Sequence, residues 1–156
     1  MKAFKTALLV AVAGTLACAT PLIAKDYPNG GVTGAEVAAD LKGVDQTATV
    51  GKDSTGDPMI DAAFKVGDTS IDYKIFFYGC KEGRCSSLQY HVAFSGDVSK
   101  IPEWNKSHRF ARAYATDKTI HLEYDVDLEK GANSIAVQNS AQRFVAVIVQ
   151  GVQFLG

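Results

Sequence analysis

Strict alternation of apolar and polar residues dominates the middle of the chain. In Ile71-Asp72-Tyr73-Lys74-Ile75-Phe76-Phe77-Tyr78, a period of two places Tyr73, Ile75 and Phe77 on one face. After a turn containing glycines and cysteines, Leu88, Tyr90, Val92 and Phe94 alternate with Gln89, His91 and Ala93, so the two runs predict an antiparallel hairpin. Upstream, Gln46 to Lys52 and Pro58 to Val66 read as strands around the turn Asp53-Ser54-Thr55-Gly56-Asp57, with Gly67-Asp68 ending the second. Downstream, Phe110 to Thr116 and Thr119 to Val126 predict a second hairpin around Asp117-Lys118. On its later strand Ile120, Leu122, Tyr124 and Val126 face one way, while His121, Glu123 and Asp125 face the other, a side predicted to meet solvent.

Helical signals frame these strands. Thr33-Gly34-Ala35-Glu36 reads as a capping box, and Val37, Ala38 and Leu41 give the short helix that follows one buried face before Gly43 ends it. Pro102 suits the first turn of a helix running to about His108, because its missing amide proton is unpaired there anyway. The segment from Ser134 to Leu155 contains a β-branched run, Phe144 to Val149, that a buried strand would also tolerate. Its length without a turn signal favours a helix, capped by Asn133 or Ser134, with Ile135, Phe144, Val145, Ile148, Val152 and Leu155 marking the apolar stripe. The predicted order is α-β-β-β-β-α-β-β-α, an α+β fold in which helices cover an antiparallel sheet. The central hairpin carries aromatics on both faces, since Phe76 and Tyr78 lie opposite Ile75 and Phe77. The last helix is expected to cover that second face. The alternative is an interface for another chain, with Phe76, Tyr78 and Tyr90 as candidate contact residues.

The first residues change the picture of where the domain works. Lys2 and Lys5 precede an apolar run, Thr6 to Leu16, and small residues follow around Ala17 and Ala19, the order of a secretory signal peptide. The run falls short of the ~20 residues a spanning helix needs, so no stable membrane insertion is expected. Cleavage after Ala24, just before Lys25-Asp26-Tyr27-Pro28, is preferred to cleavage after Ala19. Cys18 is read as discarded with the peptide rather than lipid-modified, since Thr15 stands where a lipoprotein signal usually has Leu. Residues 25–156 then form a single domain, periplasmic or secreted. It keeps fourteen basic against seventeen acidic residues, scattered along the chain, which argues against nucleic acid as a partner.

Export leaves Cys80 and Cys85 as an even pair in an oxidising compartment, in Tyr78-Gly79-Cys80-Lys81-Glu82-Gly83-Arg84-Cys85-Ser86. A disulfide clamping the hairpin turn is the expectation. Redox-active pairs carry two intervening residues at a helix start rather than four between strands, and zinc would need two more ligands with only His91 near. No metal or cofactor is expected. His91, His108 and His121 lack the helical spacing of a metal pair and follow no nucleophile motif, so they read as structural. Asp53-x-Thr55-x-Asp57 and Asp125-Val126-Asp127-Leu128-Glu129 place oxygens as calcium loops do, but lack the glycine and distant glutamate such a loop requires. No catalytic residue is assigned.

Three ordered segments carry a resemblance. Tyr73 to Cys80 with Cys85-Ser86-Ser87-Leu88-Gln89-Tyr90, Ile101-Pro102-Glu103-Trp104-Asn105 with Arg109-Phe110-Ala111-Arg112-Ala113-Tyr114, and Leu122-Glu123-Tyr124-Asp125-Val126-Asp127-Leu128 together resemble the YbjN-like family. Its members are labelled "putative bacterial sensory transduction regulator". The resemblance spans about Thr33 to the C-terminus and implies a fold similar to type III secretion chaperones, with no catalytic residues to carry over. The signal segment and the cysteine turn depart from cytoplasmic members and argue against an intracellular role. Two readings follow: an exported non-enzymatic module that binds a protein or peptide, with a homodimer as one form, or a small exported hydrolase or thiol-redox enzyme.

Overall fold

The structure, a computed structural model, describes residues 24–28 and 31–156. Apart from Ala24, the candidate signal segment, Cys18 included, lies outside the described residues. In chain order these form β1 (Asp26–Tyr27), α1 (Gly34–Lys42), β2 (Thr47–Lys52), β3 (Pro58–Val66), β4 (Thr69–Lys81) and β5 (Arg84–Ser95). A single 3-10 turn at Val98–Lys100 leads into α2 (Ile101–Ser107), followed by β6 (Arg112–Thr116), β7 (Thr119–Asp127), β8 (Ala132–Asn133) and α3 (Ser134–Leu155). The fold is α+β: an antiparallel six-stranded sheet in the order β2-β3-β4-β5-β7-β6, with three helices. The β1–β8 pair is an element the alternation did not predict, because two residues carry no periodicity. No helix among the described residues is long and apolar enough to cross a membrane.

The local signals act as expected at the helix ends. The Thr33 hydroxyl accepts the Glu36 amide at 3.2 Å, and the Glu36 carboxylate accepts the Thr33 amide at 2.9 Å. The side chain of Asn133 caps α3 through the Ala136 amide. Trp104 anchors α2: it is fully buried, donates from Nε1 to the Ala111 carbonyl, and is flanked by Asn105, which bonds Ala113 in both directions.

Register decides which face becomes the core. Ile60, Ile75, Tyr90 and Tyr124 are successive cross-strand neighbours, and Tyr73, Phe77, Leu88 and Leu122 share their side. The helices cover this face. Phe144 of α3 sits 5.6 Å from the Tyr90 ring and 5.7 Å from the Tyr73 ring. At Gly151 the helix comes so close to the sheet that an added Cβ would lie 2.4 Å from Leu122 Cδ1.

Two expectations are corrected here. α3 covers the Tyr90 face and not the face of Phe76 and Tyr78. One amphipathic helix has one stripe, and the uniformly apolar face gains more from burial than the mixed one. The stripe itself runs through Val137, Ala141, Phe144, Val147, Ile148 and Leu155, whereas Ile135 and Val152 are exposed.

The buried phenols each find a partner, as the cost of an unpaired hydroxyl demands. Tyr90 bonds Ser140 at 2.7 Å, Tyr27 donates to Asp40 at 2.6 Å, and Tyr73 donates to Gln46. Burial pushes the ionisation of all three phenols upward.

A strap formed by the residues just before α1 ties the N-terminal end to the tip of the central hairpin. Lys25 and Ser134 exchange two hydrogen bonds, and Val32 exchanges two with Cys85, at 3.0 and 2.8 Å. Gly31 is required there: its φ is +91°, and a Cβ would lie 1.9 Å from the Cys85 carbonyl oxygen. Arg84 clamps the strap by donating to the Gly31 carbonyl and to Glu36.

Candidate functional site

The face that no helix covers among the described residues is built from the second phase of each strand. Its central row consists of direct cross-strand partners: Thr49, Asp61, Lys74, His91, Glu123 and Arg112. Signs alternate along it, with Asp61 paired to Lys74 on one side of His91 and Glu123 paired to Arg112 on the other. Opposite charges on neighbouring strands are the favourable cross-strand arrangement. On one side of this row lie Ala63, Asp72, Ala93, His121 and Tyr114, and on the other Met59, Phe76, Gln89 and Asp125.

An aromatic line crosses the row diagonally. Phe76 lies 5.9 Å from His91, His91 5.3 Å from His121, and His121 stacks on Tyr114 at 4.8 Å. His91 Nε2 and His121 Nδ1 are 3.0 Å apart and share one hydrogen bond, which leaves the buried His121 Nε2 without a partner. Burial and the neighbouring His121 hold the His91 imidazole below its ordinary value, favouring its neutral form.

Glu123 departs from expectation. The alternation predicts a solvent face for it, and only 8% of it is exposed, because β7 lies between β5 and β6 rather than at an edge. Its carboxylate accepts from Arg112 Nε at 3.0 Å and from Arg112 Nη2, while Tyr114 donates to the second oxygen at 2.8 Å. A carboxylate so occupied is a positioning group for its neighbours. Beside the row, Gln89 donates to Asp125 and accepts from Tyr78.

The residues singled out by sequence separate into two faces. Phe76 is half-buried and Tyr78 is 46% exposed on the open face. Tyr90 is corrected: it points into the core with no exposure, because it is the direct partner of Ile75. Cys80 and Cys85 face each other across the β4–β5 turn and form a disulfide. His108 lies apart from the other histidines, stacked on Trp104 at 3.9 Å. Asp53 spends its carboxylate on its own turn, accepting from Thr55 and Asp57, and no cluster of three or more metal-ligating side chains occurs among the described residues.

The meeting of His91 with His121 escaped the sequence reading. The period of two places each on the open side of its strand, but adjacency depends on β5 pairing with β7, which no local signal announces. Next to the row, the small Ala63 and Ala93 leave an open cleft of about 630 Å³, bounded also by Thr47, Asp61, Asp72 and Lys74. The face as a whole offers paired charges, two hydrogen-bonded imidazoles and partly exposed aromatic rings. These are the parts of a binding surface.

A family model described as YbjN, putative bacterial sensory transduction regulator, matches residues 33–153. No curated protein and no solved structure matches the chain.

Proposed function

The chain belongs to the YbjN family, described as putative bacterial sensory transduction regulators, and from that membership we propose that it is an exported, non-enzymatic module whose open sheet face binds a protein or peptide. The observation that carries the reading is the uncovered face itself, where Tyr78 and Tyr114 remain partly exposed beside a row of paired charges. The antiparallel sheet with its helices on one side supports a chaperone-like mode of action. Export rests on the order of charged, apolar and small residues before Lys25, with cleavage after Ala24 delivering the domain to the periplasm or beyond. The hydrolase or thiol-redox alternative has less support. The Glu123 oxygens are occupied by Arg112 and Tyr114, and Cys85 is fully buried in its disulfide.

The test is a photo-crosslinking amino acid placed at Tyr78 on the open face and, as control, at Ile135 on the exposed side of α3. Position 78 should yield discrete protein adducts in the exporting cell, and position 135 none. Equal labelling from both positions, or none from either, would count against the sheet face as the binding surface.

A further inference from the structure

We propose, building on that reading, that the occupant of the open face is a second copy of this chain, packed sheet against sheet about a two-fold axis that runs along β5. The argument starts from the order of charges. Along the central row they run Asp61, Lys74, His91, Glu123, Arg112, so the signs are antisymmetric about β5. When two identical faces are opposed, a two-fold axis parallel to β5 lays β3 of one copy over β6 of the other and β4 over β7. Asp61 then meets Arg112 of the second copy, Lys74 meets Glu123, and His91 meets itself. An axis perpendicular to the strands would instead set every charge against its own like, which is destabilising. The charge pattern therefore selects one docking geometry among those open to a symmetric dimer.

Shape agrees with charge. The same operation brings Tyr114, which stacks on His121 beside Arg112 at the β6 edge, over Ala63 of the second copy. Ala63 lies in the floor of the 630 Å³ cleft, between Asp61 and Asp72. An aromatic ring and a cation thus face a hollow whose floor is small and whose rim carries Asp61 and Asp72 beside Lys74. Asp72 falls opposite His121 in that row.

Size is adequate. The five gaps between six strands, at ~4.8 Å each, and roughly nine residues of open length at ~3.3 Å each give about 700 Å² of face per copy, near the ~800 Å² per partner of specific complexes. Two packed sheets would sit ~10 Å apart with their strands aligned to within about 30°.

Sedimentation velocity of the purified protein across the micromolar range is the first measurement, and a dimer is expected. Asp61→Arg and Arg112→Asp each place like charges at both ends of the symmetric interface, so each variant alone should associate at least tenfold more weakly. An equimolar mixture of the two restores both opposite-charge contacts and should recover the dimer as a heterodimer. Recovery on mixing also shows that each variant is folded. A monomeric wild-type protein overturns the proposal, as does association that neither substitution weakens or that mixing does not restore. The crosslinker at Tyr78 separates this failure from failure of the wider reading. Adducts with other proteins from a monomeric chain overturn the second copy and leave the binding face standing, whereas no adduct at all overturns both.

Discussion

Replacing Cys80 and Cys85 by alanine tests whether the disulfide holds the domain together or only its tip. The bond closes a loop of six residues, Cys80 to Cys85, between strands that are already paired from Lys74 to Lys81. On the chain-entropy account a loop that short restricts the unfolded chain by roughly 7 cal/mol/K, worth about 2 kcal/mol at 25 °C. Removing the fully buried Cys85 sulfur adds about 1 kcal/mol of lost packing. The total, about 3 kcal/mol, is less than the 5–15 kcal/mol typical of a domain, so the variant should remain folded at room temperature. Urea denaturation followed by circular dichroism should show a lower midpoint at unchanged slope. Hydrogen exchange should accelerate at Lys81 to Arg84 while amides of Ile75, Tyr90 and Ile148 keep the protection of the global transition. The strap limits the damage, because Val32 holds Cys85 by two backbone bonds and Arg84 holds Gly31. Loss of more than about 5 kcal/mol, or uniform loss of protection, would show that the disulfide supports the whole core and that the loop-length reasoning is wrong.

Other changes probe the core, the strap and the titrating groups. Phe144→Ala should cost about 3–5 kcal/mol, since the ring is fully buried against Tyr73 and Tyr90, whereas Tyr90→Phe should cost only about 1 kcal/mol because Ser140 keeps its bond to the Val137 carbonyl; chemical denaturation measures both. Gly31→Ala should release the strap, seen as faster exchange at the Val32 and Cys85 amides with little change at β7. Burial raises the Asp40 carboxyl above its ordinary value despite the hydrogen bond from Tyr27. A folded-state value above the unfolded one means that its contribution is fully present below the unfolded value, about 4, and is lost as pH rises through the folded value. Asp40→Asn should therefore be more stable than the parent at neutral pH, and equal to it in acid. His91 runs the other way: its imidazole is held below 6.5, so its contribution is present above that value and lost as pH falls through the folded one. His91→Gln should flatten the fall in urea midpoint between neutral and mildly acidic pH.

Apart from the β1–β8 pair, the elements were legible because each depends on residues close in sequence. The Thr33–Glu36 box, the phases of β4, β5 and β7, the α3 cap at Asn133 and the Cys80–Cys85 turn all follow from periods of two and 3.6 or from side-chain bonds to nearby amides. Phase, however, assigns a residue to one of two faces without saying what covers that face. Strand order and helix placement decide that, and both are set by burial summed over contacts far apart in the chain. Tyr90 went inside because α3 lies over it, although its aromatic ring alone fitted either side. Glu123 became nearly buried and His91 met His121 because β7 inserted between β5 and β6, a pairing that joins residues thirty positions apart. The sequence by itself thus determined which side chains share a face. The tertiary structure alone decided which face the helices cover and which residues meet across the open row of paired charges, because both depend on strand order and on packing between segments far apart in the chain.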